Sequence, residues 1–244
     1  MIARTIELKD VSKSYGDVLA VDHMTLTVEK GEIYGLIGPN GAGKTTTIKL
    51  LVGLLKPSGG QIIINGFDVQ QDALAAKREL GYIPDEPFLY GRLTPWELMD
   101  FKGSLHSMKQ ADLERRRDEL LQLVGLIDYR HELIESFSLG MRQRLAIAVA
   151  LLPSPPIIVV DEPLVGLDPA GMKRVKEIFV ALAGQGATVF ISTHMLHVVE
   201  EIADRVGVLN KGRLVAEGTL ETLRSARDER LESIFFRLFS EEMR

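Results

Sequence analysis

A phosphate-binding loop is the clearest chemical signal in this sequence. Eight consecutive residues fill every fixed position of the pattern G-x-x-x-x-G-K-[ST]: Gly38, Pro39, Asn40, Gly41, Ala42, Gly43, Lys44 and Thr45. The glycines let backbone N–H groups turn onto phosphate oxygens, and Lys44 then reaches the β- and γ-phosphates. The Thr45 hydroxyl is suited to ligate Mg²⁺, and Thr46 extends the predicted binding segment. The loop therefore predicts a nucleotide site that uses Mg²⁺.

Two adjacent acids supply a second signal. Asp161 and Glu162 directly follow the apolar run Ile157 to Val160, which predicts a buried strand. Ligands of open α/β sheets bind at the C-terminal edge of the strands, so these carboxylates should lie there. We expect Asp161 to hold Mg²⁺, directly or through its water, and Glu162 to orient and deprotonate the attacking water. The alternative is a pair of acids that merely opens a surface loop.

His194 follows another predicted strand and should emerge at the same edge. A contact with the γ-phosphate is the favoured interpretation, and a structural or helix-capping histidine is the alternative. His194 and His197 have too few companion ligands nearby in the sequence for a zinc site.

The elements needed to position the loop are present on both sides of it. Ile33 to Ile37 is a short apolar run suited to a buried strand. Thr46 to Leu55 has helical periodicity and precedes Pro57, which predicts where the helix stops. The loop therefore has the strand and the helix that it requires.

The remaining segments predict the rest of the architecture. The first thirty residues read as short strands broken at Tyr15-Gly16-Asp17, and Gln61 to Asn65 adds another strand to this layer. Helical character follows over about 94–152, beginning with the capping box of Thr94 to Glu97. A helix over 169–182 and a strand over 187–192 complete the alternation. The predicted fold is α/β: a P-loop NTPase core with a mainly parallel sheet, an N-terminal antiparallel β layer and an inserted helical lobe.

Composition narrows the classes of protein. The chain has 244 residues, 45% of them hydrophobic, which is enough for a substantial core. A net charge of −5 with interspersed acids and bases predicts no nucleic-acid partner. Cysteine is absent, which excludes disulfides and cysteine chemistry. Met1 to Asp10 does not have the form of a signal peptide, and no run approaches the roughly 18 to 20 apolar residues of a membrane span. We therefore expect a soluble chain.

A further motif lies between Ser136 and Leu145. Ser138 is suited to be the N-cap of a helix, whose N-terminus would be a second anion site. The predicted buried stripe of this helix consists of Leu145, Ala148, Val149 and Leu152.

With this motif the chain resembles the ATP-binding subunits of ABC transporters, from about Ile6 to Gly218 and in the family's motif order. Residues 137–141, Phe-Ser-Leu-Gly-Met, stand where the family has its Leu-Ser-Gly-Gly-Gln signature, and they keep Ser138 and Gly140. The resemblance assigns further roles: Asp161 and Glu162 as the Walker-B acids, Gly166-Leu167-Asp168 as the D-loop, His194 as the switch histidine and Tyr15 as the aromatic that stacks on adenine. Locally, Asp168 before Pro169 is also an ordinary N-cap, and Tyr15 suits a hairpin.

The resemblance also implies cofactors and partners. These are ATP and Mg²⁺, a second ATPase subunit packed head to tail, expected as a homodimer, and a separate integral-membrane permease. In such a dimer Ser138 and Gly140 face the ATP held by the partner's phosphate loop. The subunit would be cytoplasmic, at the inner face of the membrane through its permease. The wording Met-Arg-Gln-Arg-Leu over 141–145 resembles exporters more than importers.

The resemblance divides the chain into an ATPase domain over 1–218 and a tail over 219–244. The tail places Leu231, Ile234, Phe235, Leu238 and Phe239 on one helical stripe, which favours packing against its own domain over a subunit contact. Within the domain, Gly81 to Phe101 corresponds to the segment that couples the nucleotide site to the permease. Its large side chains are Phe88, Leu89, Tyr90 and Trp96, although Trp96 is equally suited to the core of the lobe.

Asp85, Leu139 and Met141 are among the positions that depart from the family pattern. Asp85 stands where the family usually has a glutamine that senses Mg²⁺ and the permease, and a carboxylate accepts from metal-bound water but cannot donate. Leu139 replaces the signature's first glycine and Met141 its glutamine. We expect hydrolysis to be retained, with Asp85 among the metal-site residues.

Two other function classes are weighed against a transporter ATPase. One is a soluble ABC-type ATPase acting on cluster assembly or on nucleic acid; its DNA-repair members would have long coiled-coil insertions, which the sequence does not predict. A GTPase would need Asn-Lys-x-Asp, which Asn210-Lys211-Gly212-Arg213 does not complete. A small-molecule kinase would not need the signature helix.

Overall fold

The computed structural model describes residues 4–164, 166–223 and 233. The strands of these ranges are β1 Arg4–Tyr15, β2 Val18–Glu29, β3 Ile33–Ile37, β4 Gly59–Ile64, β5 Phe67–Asp68, β6 Leu80–Ile83, β7 Ile157–Asp161, β8 Thr188–Thr193, β9 Arg205–Asn210 and β10 Arg213–Gly218. The helices are α1 Lys44–Leu51, α2 Ala73–Arg78, α3 Pro95–Leu105, α4 Gln110–Leu123, α5 Leu139–Leu151, α6 Pro169–Gly184, α7 Leu196–Ile202 and α8 Leu220–Leu223. Short 3₁₀ helices span Ile127–Tyr129 and Ile134–Ser136.

The N-terminal layer is a four-stranded antiparallel sheet in the order β2-β1-β4-β5. Strands β1 and β2 form a hairpin whose turn uses Gly16 at φ 57°, a left-handed conformation that glycine adopts without strain. The predicted strand-rich layer is confirmed, although β1 and β2 have 12 residues each and are not short.

The predicted site residues follow strands of the second sheet. Its order is β10-β9-β3-β8-β7-β6, and β9, β3, β8, β7 and β6 run parallel while β10 is an antiparallel edge strand. Every residue of β3, β7 and β8 is buried, as expected for strands covered on both faces. The predicted mainly parallel α/β core is confirmed, and its carboxyl ends meet at one edge.

Each face of this parallel sheet is covered by a separate apolar cluster. One cluster joins the antiparallel sheet and α1 to residues such as Tyr34, Leu36 and Phe190, and Tyr34 stacks on Phe190 with ring centroids 5.4 Å apart. The other cluster packs α3, α4, α5 and α6 against the opposite face. Burial of this apolar surface from water holds both layers on the central sheet.

Helix α1 differs from its prediction at the C-terminal end. The expected range was 46–55, but the helix ends at Leu51. Gly53 takes φ 66° and donates to the Leu50 carbonyl at 3.1 Å, while Leu54 donates to the Lys49 carbonyl at 2.9 Å. A glycine in the left-handed conformation just beyond the last turn terminates a helix, so Pro57 is not what stops it.

Helices α3 and α5 begin where the sequence predicts. Thr94 forms the complete capping box with Glu97, and Pro95 occupies the first turn of α3. Ser138 caps α5 as expected. The buried surface of α5 is broader than the predicted stripe, because Gln143 and Ile147 are also fully buried while Val149 is only partly so.

In the part of the chain that the structure describes, no helix combines the length and apolarity needed to cross a membrane. The predicted tail stripe lies outside the described residues.

Candidate active site

The phosphate-binding loop connects β3 to α1, as the pattern predicts. Lys44 is buried, and its Nζ donates to the carbonyls of Gly38 at 2.8 Å and Pro39 at 3.2 Å. Gly43 takes φ 109° at the N-cap of α1, and a Cβ there would lie 2.4 Å from the Ala20 carbonyl oxygen. Only glycine fits this position, because both the dihedral angle and the close backbone approach exclude a side chain.

A pocket of about 340 Å³ opens beside this loop. Its lining contains Ala20, Asn40, Gly41, Gly43, Lys44, Thr45, Thr46, Asp85, Glu162 and His194. The fold thus brings the phosphate loop, two carboxylates from different strands and the histidine to one place. Ala20 was not anticipated, because nothing local to β2 marks it as part of the pocket.

Glu162 lies at the centre of this arrangement. Its backbone takes φ 48°, a rare conformation for a residue with a side chain. Its carboxylate accepts from the His194 main-chain N–H at 3.1 Å and from the Thr193 hydroxyl at 3.0 Å, and Oε1 lies 2.9 Å from His194 Nδ1. Oε1 is also 3.7 Å from Lys44 Nζ. Strained backbone held by several contacts is typical of functional sites.

Asp161 is fully buried one residue earlier. Its Oδ1 accepts a hydrogen bond from the Ser192 hydroxyl, while Oδ2 has no hydrogen-bonding partner. Burial is the main cause that raises the pKa of Asp161; hydrogen bonds from Ser192 and Thr45 lower it, and Asp85 and Glu162 raise it further. A buried carboxylate oxygen without a partner beside Thr45 fits a hard divalent cation such as Mg²⁺.

The charges around Lys44 oppose one another. Burial, the largest cause, lowers the pKa of Lys44, whereas Glu162 and Asp161 raise it.

Among the described residues, no group of three or more histidines, cysteines, aspartates and glutamates is arranged to hold a metal by itself. Mg²⁺ commonly takes one or two protein carboxylates and completes its shell with water and substrate phosphates.

Asp85 lines the pocket at the end of β6. Its Oδ1 accepts from the Glu86 main-chain N–H at 2.9 Å. Nearby, burial raises the pKa of Tyr82 to about 12, with smaller contributions from Asp161 and Asp85. The negative charge of Asp85 therefore acts on both Tyr82 and Asp161.

The signature residues lie elsewhere on the chain. Ser138 accepts from the Met141 N–H at 3.2 Å, and Asp168 accepts from the Gly171 N–H at 2.9 Å, so each caps a helix as predicted. A Cβ on Gly140 would lie 3.1 Å from the Gly166 carbonyl oxygen, which shows that the two helix starts are adjacent. None of these residues lines the pocket in the described part of the chain.

Tyr15 also lies apart from the described lining of the pocket. It ends β1, its exposed fraction is 47%, and Lys13 Nζ lies 5.3 Å from the ring centroid. Its adenine-stacking role stays a prediction.

Two supporting residues were missed by sequence reasoning. Ser192 holds Asp161 and Thr193 holds Glu162, and both come from β8. Hydroxyl residues at the end of an otherwise apolar strand are a signal that could have identified them.

A larger cavity lies at the other edge of the sheet. Its volume is about 630 Å³, and it lies between α4 and α6 near Lys30, Pro156 and Ala187, which precede β3, β7 and β8. It contains neither the phosphate loop nor the paired acids. The chemistry therefore assigns nucleotide binding to the smaller pocket.

The fold and the site define a P-loop ATPase with an ABC-type signature helix. Residues 21–165 match the family described as ABC transporter. The chain belongs to that family, as an ATP-binding and ATP-hydrolysing subunit.

Sequence and structure relatives agree with this assignment. The chain is 39% identical over 228 residues to the bacitracin transport ATP-binding protein of Bacillus licheniformis, covering 93% of this chain and 74% of that protein. The chain spans 62% to 74% of the length of eight curated relatives. A solved ATP-binding subunit of an ABC transporter superposes with a TM-score of 0.92 at 35% identity, covering 96% of this chain and 99% of the other. A dimeric ATP-binding cassette in a post-hydrolysis state with ADP and phosphate superposes with a TM-score of 0.81 at 28% identity, covering 88% and 98%.

The first prediction concerns the buried charge of Asp161. We expect Asp161→Asn to stabilise the metal-free protein at pH 7 by about 1 to 3 kcal/mol, because it removes a buried carboxylate that lacks a partner for one oxygen. Since the folded-state pKa is raised, protonation relieves the same cost in the wild type, so the difference should shrink as pH falls from 7 through that pKa. Urea unfolding of both proteins at several pH values measures this difference. Equal stability at pH 7 would contradict it.

Proposed function

We propose that this chain is the energy-coupling subunit of a transporter, in which two copies close around Mg-ATP and drive a separate membrane permease. The observation that carries the proposal is the convergence of Lys44, Asp161, Glu162 and His194 at one edge of the parallel sheet. The proposed nucleotide contacts are the loop 38–46 in this chain, with Tyr15 toward the adenine.

The proposed metal residues are Thr45, Asp161 and Asp85. Mg²⁺ bound there would neutralise charge on the β- and γ-phosphate oxygens. Burial raises the pKa of Asp161, while Ser192 and Thr45 lower it through their hydroxyl groups. Asp161 Oδ2 has no hydrogen-bonding partner in this structure. Asp85 lines the same pocket.

Glu162 is proposed as the general base and His194 as the residue that positions it near the γ-phosphate. The carboxylate is already tied to His194 and Thr193, which fixes its direction toward the pocket. Lys44 bonds its own loop carbonyls here, and we propose that the phosphates of ATP replace those contacts. The lysine would then draw charge toward the β/γ-bridge while Glu162 accepts the proton of the attacking water.

The second prediction tests the base. Glu162→Gln should keep ATP binding but slow hydrolysis by roughly 10² to 10⁴-fold, the usual contribution of a general base. Because hydrolysis no longer resolves the complex, an ATP-bound dimer should accumulate on size-exclusion chromatography with Mg-ATP. Near-normal turnover with only monomer would overturn the assignment.

A second copy of the chain is proposed because the start of the signature helix does not line the pocket of its own chain. Gly140 lies beside Gly166, shortly before α6, and neither Ser138 nor Gly140 is among the residues that line the pocket. An anion-binding helix start outside its own nucleotide pocket has a function if it contacts the nucleotide of a partner. The dimeric neighbour with bound ADP and phosphate supports this proposal.

The third prediction separates binding from closure. Lys44→Ala should weaken ATP binding by the monomer, because it removes the cation at the β/γ-phosphates. Ser138→Arg should leave monomer binding intact and prevent dimerisation in the Glu162→Gln background, because it places a bulky side chain in the proposed interface. Equal loss of monomer affinity, measured by equilibrium titration with a fluorescent ATP analogue, would show that Ser138 does not act across an interface.

A surface for the permease is proposed on the segment that follows Asp85. Phe88 is 89% exposed and Tyr90 is 61% exposed, and the Tyr90 ring packs edge-on against Phe101 with centroids 6.0 Å apart. A neighbouring groove of about 290 Å³ contains Pro87, Leu89 and Lys102. Exposed aromatic side chains around a groove are typical of protein interfaces. Trp96 instead belongs to the lobe, where Arg117 lies over its ring and His131 packs beside it.

The fourth prediction tests this surface. Phe88→Glu and Tyr90→Glu should each leave ATP binding unchanged yet abolish co-purification with the permease encoded beside this chain, because a charge would be buried in an apolar contact. Leu74→Glu is the matched control, since Leu74 is 67% exposed but lies on α2. Undiminished co-purification would place the docking surface elsewhere, and the lack of any membrane partner would favour a soluble ATPase.

The ATPase domain is proposed to span residues 1–218, with the helical lobe over about 94–152 and a tail over 219–244. The end of β10 at Gly218 supports the boundary between the domain and the tail. The signature wording supports export, and the relative named for bacitracin transport is consistent with a transport role. The proposed location is cytoplasmic, at the inner face of the membrane through the permease.

A further inference from the structure

Gln143 is a buried polar residue that the proposed chemistry does not use. It lies in the second turn of α5 and is fully buried. A primary amide has two donor hydrogens and an acceptor oxygen with two lone pairs. Burying such a group without hydrogen bonds is costly, so its partners indicate what it is for.

The partners of Gln143 are incomplete in this structure. Its Nε2 donates to the Pro84 carbonyl over a long 3.5 Å, and its Oε1 has no hydrogen-bonding partner. The opposite orientation of the amide would set two oxygens against each other. The amide is thus directed at the chain just before Asp85, but it is poorly satisfied there.

The segment 84–88, which we call the Asp85 segment, has few main-chain donors. Pro84 and Pro87 have no N–H. Between them, the Glu86 N–H is held by the Asp85 carboxylate at 2.9 Å. If Asp85 turns toward a metal ion, that N–H is released and becomes available to an acceptor such as Gln143 Oε1.

Helix α5 links this contact to the signature. Gln143 follows the N-cap Ser138 by five residues, about 7.5 Å along a rigid helix. A movement of the helix start is therefore transmitted to the Pro84 carbonyl. Three residues beyond the Asp85 segment the chain is tied to the lobe as well, where the Glu135 N–H donates to the Gly91 carbonyl at 2.9 Å.

We infer that Gln143 is a positioning residue that couples the Asp85 segment to the signature helix, so that Asp85 reaches the metal site as Ser138 reaches the interface. The inference rests on the proposed function of Asp85 and Ser138. In the loaded state the Gln143 amide donates to Pro84 at a normal distance and accepts a main-chain N–H of the Asp85 segment. The lack of a hydrogen-bonding partner for Gln143 Oε1 favours that second arrangement.

The test uses Gln143→Met, which keeps the length of the side chain and removes its hydrogen bonds. Dimer formation with ATP is measured by size-exclusion chromatography in the Glu162→Gln background while Mg²⁺ is varied. Gln143→Met should raise the Mg²⁺ concentration for half-maximal dimer about three- to tenfold, the size of one or two hydrogen bonds. ATP affinity measured without Mg²⁺ should change less than about twofold, because the phosphate loop is untouched. Urea unfolding checks that the variant is folded, and Ile147→Met, equally buried on α5, is the matched control.

A double-mutant cycle with Asp85→Ala decides whether Gln143 acts through Asp85. We expect Asp85→Ala to raise the Mg²⁺ requirement, Asp85→Gln to be tolerated, and Gln143→Met to add no further change once Asp85 is alanine. Additive effects, or an equal shift in Ile147→Met, would overturn the inference while leaving the role of Asp85 intact. A normal Mg²⁺ requirement in Asp85→Ala would overturn the metal role of Asp85 and the inference with it. Failure of the Glu162→Gln protein to dimerise at any Mg²⁺ concentration would instead reject the proposed dimer.

Discussion

Parallel strand pairing is the constraint on which the site depends. Strands β3, β8, β7 and β6 are neighbours in register, so the residues that follow them emerge at one edge of the sheet. Gly38 begins the phosphate loop after β3, His194 follows β8, Glu162 follows β7 and Asp85 comes shortly after β6. Residues more than a hundred positions apart in the chain thus line one pocket.

Charge balance within that edge explains its preference for a ligand. Asp161 and Glu162 act on the buried Lys44, Asp85 lines the same pocket, and Asp161 leaves one oxygen without a partner. Burial disfavours the charges of Lys44 and Asp161, and the proposed divalent cation would offset the excess of negative charge. The same buried carboxylate that costs stability in the free chain would provide affinity for that metal, which is a common compromise at functional sites.

The helical lobe adds a second surface that this pocket does not use. The starts of α5 and α6 lie side by side, each capped by an oxygen side chain, and neither cap lines the pocket of its own chain. The segment after β6 connects the two regions and exposes Phe88 and Tyr90. One continuous part of the structure thus joins the proposed metal site, the proposed partner site and the proposed permease surface. A movement at one of them can therefore be transmitted to the others.

The sequence by itself determined the features whose causes are local. The phosphate loop, the acids after β7, the capping box at Thr94 and the caps Ser138 and Asp168 depend on neighbouring residues, and the structure has them where the sequence predicts. Sequence reasoning set the end of α1 incorrectly because Gly53, and not Pro57, takes the terminating conformation.

Only the tertiary structure decided which distant groups meet. The contact of Lys44 with Glu162, the hydroxyl supports from β8, the burial of Gln143 and the separation of Ser138 from its own pocket arise from packing between elements. The periodic spacing of apolar residues indicates that a helix or strand has a buried side, but it does not indicate which element covers that side. Strand order and register supply that information, because they are set by the apolar surface that all the elements bury together.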